Sequence, residues 1–200
     1  ETRDLAVRMY YPAKETGAMT VSYSHIFAPP AMEPVALEFS GRAYSDATPL
    51  SEGETFPLVV MSHGFNGWST QFSNLAEHIA SRGYIVASID HDDMKLKGSA
   101  DFRVPSESPF SMIDPERVGL IGYSMGGYGA LATGGGDYDY DSSTFTAVPS
   151  DAMTPVQEAA SEPVPVKAIV AFAPWGGQPD NRVGSAETRG KVVVPVLLVS

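Results

Sequence analysis

The 200-residue sequence contains no cysteine, which excludes disulfide bonds, thiolate catalysis and cysteine-ligated zinc. Basic residues are also scarce, since 13 Lys and Arg face 24 Asp and Glu and leave a formal net charge of -11. This negative charge opposes attraction to phosphate backbones and anionic lipid, so nucleic acid is not an expected partner. No apolar run approaches the roughly 18 residues of a membrane-spanning helix, and we therefore predict no integral membrane segment.

Hydrophobic residues, by contrast, make up 43% of the chain, which is enough for one sizeable core. No flexible linker divides the sequence, so we predict a single domain over residues 1–200. The chain opens on Glu1 without a charged-then-apolar leader, which is compatible with an already removed presequence. The acidic balance slightly favours a secreted or periplasmic location, while the composition says nothing of the oligomeric state.

Short continuous apolar runs, typical of strands buried on both faces of a parallel sheet, recur along the chain. They lie at 57–62, 84–89, 118–121, 168–172 and 192–199, and runs at 5–11 and 35–39 predict two earlier strands. Residues 74–82 place Leu75, Ala76, Ile79 and Ala80 on one helical face, and Gly83 stands where a helix ends with positive φ. The alternation predicts an α/β fold with a mostly parallel sheet and helices on both faces.

Two intervals depart from this alternation. Residues 91–116 contain three prolines and no helical period, although a parallel crossover normally contains a helix. The crossover is therefore either irregular or incomplete. Residues 134–165 are rich in Gly, Asp, Ser, Thr and Pro, and they predict a long surface excursion over a binding cleft.

The stretch VGLIGYSMGGYGAL (118–131) contains the pattern GxSxG with Ser124 at its centre. A predicted strand precedes the serine and helix-compatible small residues follow it, which is the strand-turn-helix setting of a nucleophilic serine. Gly122 and Gly126 suit such a bend because a side chain at either position would collide with neighbouring backbone. The pattern predicts Ser124 on a strained bend, with a helix N-terminus directed at a developing oxyanion. The alternative is a glycine-rich turn with a surface serine.

A second motif, SHGFNGW (62–68), directly follows the predicted strand at 57–62. Backbone N–H groups in a glycine-containing loop at the carboxyl end of a parallel strand can point into the crevice where ligands bind. The amide of Phe65 is the natural donor, and with the amide of Met125 it would form a two-donor oxyanion hole. His63 could serve as a base, but a histidine fixed at a strand end is more often structural.

The segments PLVVMSHGFNGWSTQFSNLAEHIASRGYIVASIDH and DPERVGLIGYSMGGYGAL together resemble the α/β-hydrolases, above all the dienelactone-hydrolase-like and platelet-activating-factor-acetylhydrolase-like esterases. The similarity covers residues 57–131 and extends through APWGG (173–177) and VPVLLVS (194–200). It implies an α/β-hydrolase fold with Ser124 as acyl nucleophile and the amides of Phe65 and Met125 as the oxyanion hole. It also implies that Trp175 lines the acyl or alcohol pocket, the alternative being ordinary core packing.

The resemblance fails at the catalytic triad, which in this fold runs Ser, acid, His along the chain. All the histidines precede Ser124, and they are His25, His63, His78 and His91. We therefore expect the final strand, its helix and the loops with the acid and the histidine beyond Ser200, so that residues 1–200 alone are close to inactive. Alternatively, Asp180 supplies the acid and His91 or His63 the base, against the usual chain order.

The sequence thus predicts a serine carboxylic-ester hydrolase that forms an acyl-enzyme on Ser124 and requires no metal or organic cofactor. A metal site at His91, Asp92 and Asp93 is disfavoured because adjacent residues rarely converge on one ion. Two alternatives remain open: an acyltransferase that uses the same acyl-enzyme, and a catalytically silent binding protein of the same fold. The expected substrate is a small-molecule ester with an apolar acyl or alcohol group.

Overall fold

The main sheet of the protein has six strands. The computed structural model describes residues 6–14, 19–28, 31–50, 53–91, 111–136, 165–178, 181–182 and 185–200. In spatial order the strands are β1 (Ala6–Tyr10), β5 (Ile85–Asp90), β4 (Phe56–Ser62), β6 (Ile113–Tyr123), β7 (Val166–Phe172) and β10 (Val196–Val199). β1 runs antiparallel to β5, and the other four neighbouring pairs are parallel.

Two hairpins and three helices accompany this sheet in the described residues. β2 (Thr20–Phe27) pairs with β3 (Val35–Tyr44), and β8 (Gly177–Gln178) pairs with β9 (Asn181–Arg182), both antiparallel. The helices are α1 (Ser73–Ala80), α2 (Met125–Leu131), which continues into a π-helical turn at Ala132–Gly136, and α3 (Ala186–Arg189). None of the helices in this part of the chain is long and apolar enough to cross a membrane.

The core lies on both faces of the main sheet, as the alternation along β4 shows. Successive strand residues point to opposite faces. Leu58 and Val60 join the buried cluster that contains Ala130 of α2. Val59, between them, joins the cluster that contains Ala76 of α1. The predicted fold class, a mostly parallel sheet with helices on both faces, is confirmed.

The strand boundaries differ from the prediction at several places. β2 has no counterpart among the predicted runs, β3 continues past 39 to Tyr44, and β6 and β10 differ at their first residues. β6 begins at Ile113, well before the apolar run at 118–121, because Ile113 and Asp114 pair with Phe56 and Pro57 ahead of a register shift. β10 begins at Val196 rather than at 192, and the preceding Pro195 has no N–H to donate to a ladder. An apolar run marks where a strand is buried on both faces, not how far its hydrogen-bonded ladder extends.

The helix predictions hold with shifts of one or two residues. α1 buries Ala76 and Ala80, with Leu75 and Ile79 partly buried against the same cluster, and Gly83 follows it at φ 88°. The helix after the serine begins at Met125, directly after Ser124, as predicted. Residues 92–110 and 137–164, the bulk of the two irregular intervals, lie outside the described residues.

The carboxyl ends of three parallel strands meet at one edge of the sheet. Ser62 at the end of β4 is in register with Gly122 near the end of β6, and Gly122 is in register with Ala171 of β7. The segments that follow these strands therefore lie side by side, which is where an open α/β sheet binds its ligands.

Candidate active site

Ser124 lies on the bend between β6 and α2, with φ 53° and ψ −115°. A non-glycine residue at positive φ is uncommon, and such strain persists only where the surrounding structure imposes it. The side chain is half-buried. The strained bend that the GxSxG pattern predicts at Ser124 is therefore present in the structure.

Two glycines make this bend possible, because neither position has room for a side chain. A Cβ on Gly122 would collide with the carbonyl of Gly126 and would lie 2.6 Å from the amide nitrogen of Gly127. A Cβ on Gly126 would collide with the carbonyls of Ser62 and His63 at the end of β4. Both collisions are with backbone, as the sequence argument predicts, and the second shows that the first turn of α2 packs directly against the end of β4.

Backbone hydrogen bonds fix Ser124 to the end of β7. The amide of Ser124 donates to the carbonyl of Phe172 over 2.9 Å, and the amide of Trp175 donates to the carbonyl of Ser124 over 2.8 Å. That carbonyl also accepts the N–H of Tyr128 at 3.1 Å. Ala173, between the two β7 contacts, has φ 40°. The backbone after β7 is therefore strained at Ala173, between the two residues that bond to Ser124.

The loop after β4 forms a tight turn beside the serine. The amide of Gly67 donates to the carbonyl of Gly64 over 2.9 Å, and Asn66 has φ 56°. A Cβ on Gly64 would lie 3.0 Å from the Cβ of Ser124, so the turn contacts the bend at Gly64. Phe65 follows at once, with its side chain 53% exposed. Three segments, the turn with Phe65, the bend with Ser124 and Met125, and the chain after β7 with Trp175, therefore meet at this edge of the sheet.

The ring of His63 is buried and hydrogen-bonded at both nitrogens. Its Nδ1 lies 2.7 Å from the carbonyl oxygen of Gly64, and its Nε2 lies 3.0 Å from the backbone nitrogen of His91. A carbonyl only accepts and an amide N–H only donates, so Nδ1 carries the proton and Nε2 the lone pair. His63 is 4% exposed. These bonds assign His63 a structural position, which the strand-end argument favours over a role as base.

Asp90, at the end of β5, lies 3.7 Å from Nε2 of His63. This contact is an ion pair only if His63 is protonated, and the 3.0 Å bond from the His91 N–H already uses the Nε2 lone pair. The ring of His63 is therefore neutral, and Asp90 lies near it without forming an ion pair. The carboxylate of Asp90 accepts instead the hydroxyl of Ser69 over 2.9 Å.

The remaining histidines have other surroundings. His91 Nε2 lies 2.8 Å from the hydroxyl of Ser62, and the ring of His25 stacks on Trp68 with centroids 4.1 Å apart. His78 is exposed on α1. Asp180, the alternative acid, and Asp92 and Asp93 of the disfavoured metal site lie outside the described residues.

Sequence reasoning missed the pairing of His63 with His91. A signal was present, because each histidine directly follows an apolar strand pattern, and parallel strands end at the same edge of a sheet. What the sequence does not give is that β4 and β5 are neighbours in the sheet.

A cavity of about 800 Å³ lies elsewhere, between α1, β3 and the end of β1, and its lining does not include Ser124.

Comparison with known proteins gives matches to ester hydrolases. The family model for platelet-activating factor acetylhydrolase, isoform II, matches residues 36–110. A platelet-activating factor acetylhydrolase of Canis lupus familiaris is 31% identical over 111 residues, which are 48% of this chain and 25% of that protein. A bis(hydroxyethyl) terephthalate hydrolase of Streptomyces coelicolor is 31% identical over 102 residues, 46% of this chain and 33% of that protein.

Cutinase 2 of Thermobifida cellulosilytica is 32% identical over 91 residues, 40% of this chain and 35% of the cutinase. The chain thus spans between 25% and 35% of the length of these three relatives. Their names agree with the acetylhydrolase-like resemblance that the motifs predict. With its mostly parallel sheet and its serine on a strained strand-to-helix bend, the chain is an α/β-hydrolase-fold protein similar to esterases of the platelet-activating-factor-acetylhydrolase and cutinase kind.

Proposed function

We propose that this protein is a serine carboxylic-ester hydrolase in which Ser124 is the acyl nucleophile. The observation that carries the proposal is the strained backbone of Ser124, at φ 53°, on the bend between β6 and α2. Strain of this kind costs about 1 to 3 kcal/mol and clusters at functional sites. A surface serine in an ordinary glycine-rich turn has no need of it. The names of the three relatives, all ester hydrolases, support the same reaction class.

The amides of Phe65 and Met125 are the oxyanion donors in this proposal. Two observations support the pair. Met125 is the first residue of α2, so its N–H has no partner within the helix. Phe65 follows Gly64, whose Cβ position lies 3.0 Å from the Cβ of Ser124. In the reaction Ser124 attacks the ester carbonyl, the two N–H groups hold the oxyanion, the alcohol leaves, and water releases the acid.

A histidine and an acid that follow residue 200 complete the triad in our proposal. All four histidines precede Ser124, and His63 uses both ring nitrogens in hydrogen bonds. The side chains of β10 support further chain that covers both faces of the sheet at this strand. Val196 and Leu198 point to one face and Leu197 and Val199 to the other, yet all four are between 38% and 62% exposed. Apolar residues on both faces of a parallel strand are normally covered.

We infer that the substrate is a neutral ester with an apolar acyl or alcohol group. The half-buried Trp175 is bonded through its backbone to Ser124, and the exposed ring of Phe65 lies on the turn that contacts Ser124 at Gly64. Aromatic rings at the mouth of a cleft bind apolar groups. The net charge of -11 opposes polyanionic substrates.

The test uses the complete product of the gene. Ser124→Ala should abolish hydrolysis of p-nitrophenyl butyrate, since loss of a triad serine leaves only the residual rate of about 10³ to 10⁴ over water from the remaining site. Ser45→Ala is the matched control, because Ser45 is exposed and its hydroxyl bonds only to Asp46 beside it among the contacts described. Covalent labelling by a fluorophosphonate should be lost in the first variant and kept in the second. Hydrolysis at the original rate by Ser124→Ala would refute the proposal.

A further inference from the structure

The peptide that joins Gly64 to Phe65 is held by two donors on its carbonyl side. Nδ1–H of His63 donates to the Gly64 oxygen over 2.7 Å, and the amide of Gly67 donates to the same oxygen over 2.9 Å. A trans peptide is planar, with its C=O and N–H on opposite sides. Fixing the Gly64 oxygen therefore fixes the direction of the Phe65 N–H.

We propose that His63 is a positioning residue which, held by the backbone of His91, aims and polarises the Phe65 N–H toward the oxyanion of the Ser124 reaction. The inference rests on the proposed function, since it concerns the donor named there. It assigns His63 no contact with substrate and no proton transfer. Its effect passes through the Gly64–Phe65 peptide.

Two physical effects contribute. The first is orientation: a donor acts on an oxyanion only if it already points to the place where the charge develops. The second is polarisation, because hydrogen bonds to a carbonyl strengthen the N–H of the same peptide as a donor, by about 10 to 30% per bond. His63 supplies both effects from the side of the peptide that faces away from the reaction.

The ring of His63 is itself fixed from β5. The backbone N–H of His91 donates to its Nε2 over 3.0 Å, and the His91 ring is tied to the Ser62 hydroxyl over 2.8 Å. The ends of the adjacent strands β4 and β5 are thus linked twice. The contact to Nε2 also keeps the proton on Nδ1, where it is needed for the bond to Gly64.

Three substitutions separate the two nitrogens. In His63→Asn the side-chain amide takes the place of Nδ1 and keeps the donor to Gly64. In His63→Gln the longer side chain takes the place of Nε2 and keeps the acceptor for the His91 N–H. His63→Phe keeps an aromatic ring at this position and removes both hydrogen-bonding nitrogens. His78→Phe makes the same change at an exposed histidine of α1, away from the site.

With p-nitrophenyl butyrate and the complete gene product, we expect His63→Gln and His63→Phe to lower kcat about 10- to 100-fold with little change in KM. This loss is smaller than the roughly 10²- to 10³-fold loss on removing an oxyanion donor itself. His63→Asn should retain most of the wild-type kcat, and His78→Phe all of it. A purely structural role would lower the melting temperature of the Asn and Gln variants alike. Equal kcat in those two variants, or a higher kcat in Gln than in Asn, would overturn the proposal.

A second measurement does not depend on catalysis. Nitrogen-15 NMR of the His63 ring, in wild type and in Ser124→Ala, should show the tautomer with the proton on Nδ1. The Nε2–H tautomer, or averaging between the two, would overturn the positioning role even in a protein without esterase activity. Absence of hydrolysis and of fluorophosphonate labelling in the wild type, with the Nδ1–H tautomer present, would refute the esterase proposal and with it the catalytic purpose of His63.

Discussion

The backbone N–H of Trp175 donates a 2.8 Å hydrogen bond to the carbonyl oxygen of Ser124. The segment after β7 is therefore joined to the serine bend through main-chain atoms, and the bond does not involve the indole ring. Ala173, two residues earlier, is held at φ 40° within the same connection. This separation of backbone from side chain allows the two contributions of residue 175 to be tested independently.

Replacing the indole while keeping the backbone should change substrate preference more than stability. In Trp175→Ala the N–H that bonds to Ser124 remains, so fluorophosphonate labelling of Ser124 should continue at a similar rate. If the indole lines the acyl or alcohol pocket, kcat/KM for a phenyl or naphthyl ester should fall about 10-fold, equivalent to about 1.4 kcal/mol. The value for the matching methyl ester should change little. Equal losses for both esters would instead indicate that Trp175 only packs against the core.

The glycine at position 122 should tolerate no side chain, whereas another glycine in the same strand should. A Cβ on Gly122 would collide with the carbonyl of Gly126, while a Cβ on Gly119 would find its nearest neighbour at 3.7 Å. Gly122→Ala should lower the free energy of unfolding by at least about 3 kcal/mol, since the clash is with backbone that cannot turn aside. Gly119→Ala should stay within about 1 kcal/mol of wild type. Urea denaturation followed by circular dichroism measures both, and similar midpoints for the two variants would contradict the steric account of the bend.

The bend at Ser124 could be predicted from the sequence because Gly122, Ser124 and Gly126 occupy fixed positions between an apolar run and a run of small residues. The clash at Gly122 is with the nearby Gly126, whereas Gly126 has no room because the carbonyls of Ser62 and His63 lie against it, a contact that the sequence does not give. The parallel sheet was predictable for a similar reason, since strands buried on both faces have a recognisable composition.

The hydrogen bond from the backbone of His91 to the ring of His63 could not be predicted in the same way. It depends on β4 and β5 being neighbours, on their register, and on which ring nitrogen carries the proton. Each of these is a property of the folded sheet. The start of β6 at Ile113 was missed for a related reason. Asp114, Glu116 and Arg117 are polar and so do not match an apolar strand pattern, whereas the strand is held by backbone hydrogen bonds, which do not depend on the side chains.

Stability should fall at alkaline pH because of two buried tyrosines. Burial, reinforced by the 2.6 Å hydrogen bond from its hydroxyl to Glu77, raises the pKa of Tyr23 well above its ordinary value. Burial likewise raises the pKa of Tyr10. The folded state therefore holds these protons more tightly than the unfolded state, whose tyrosines titrate near about 10. The stabilisation is complete below that pH and is lost as the pH rises above it, by about 1.4 kcal/mol per pH unit for each such tyrosine.

Tyr23→Phe isolates this effect. At neutral pH the variant should lose about 1 to 3 kcal/mol, since an oxygen of Glu77 is left without its hydroxyl donor. Above pH 10 its stability should fall less steeply with pH than that of the wild type. Tyr84→Phe is the control, because Tyr84 is 39% exposed. Urea midpoints between pH 8 and pH 11 supply the measurement, and parallel curves for wild type and Tyr23→Phe would contradict the assignment.

The amide of Phe65 can be removed without disturbing the turn that holds it. Phe65 is the second residue of the Gly64–Gly67 turn, which the Gly67 N–H closes on the Gly64 carbonyl. Proline is favoured at that position of a β-turn because its fixed φ suits it, and proline has no N–H. Phe65→Pro should therefore keep the fold and the bond from His63, yet lower kcat about 10²- to 10³-fold if this amide is an oxyanion donor.

Phe65→Ala is the matched control, since it removes the exposed ring and keeps the N–H. It should raise KM for apolar esters while leaving kcat near that of wild type. Steady-state kinetics with p-nitrophenyl butyrate separates the two constants, and a melting curve for each variant confirms that the turn survives. If Phe65→Pro retains the wild-type kcat in a folded protein, the oxyanion has no donor at position 65. The alignment of the Gly64–Phe65 peptide by His63 then serves the fold and not the reaction.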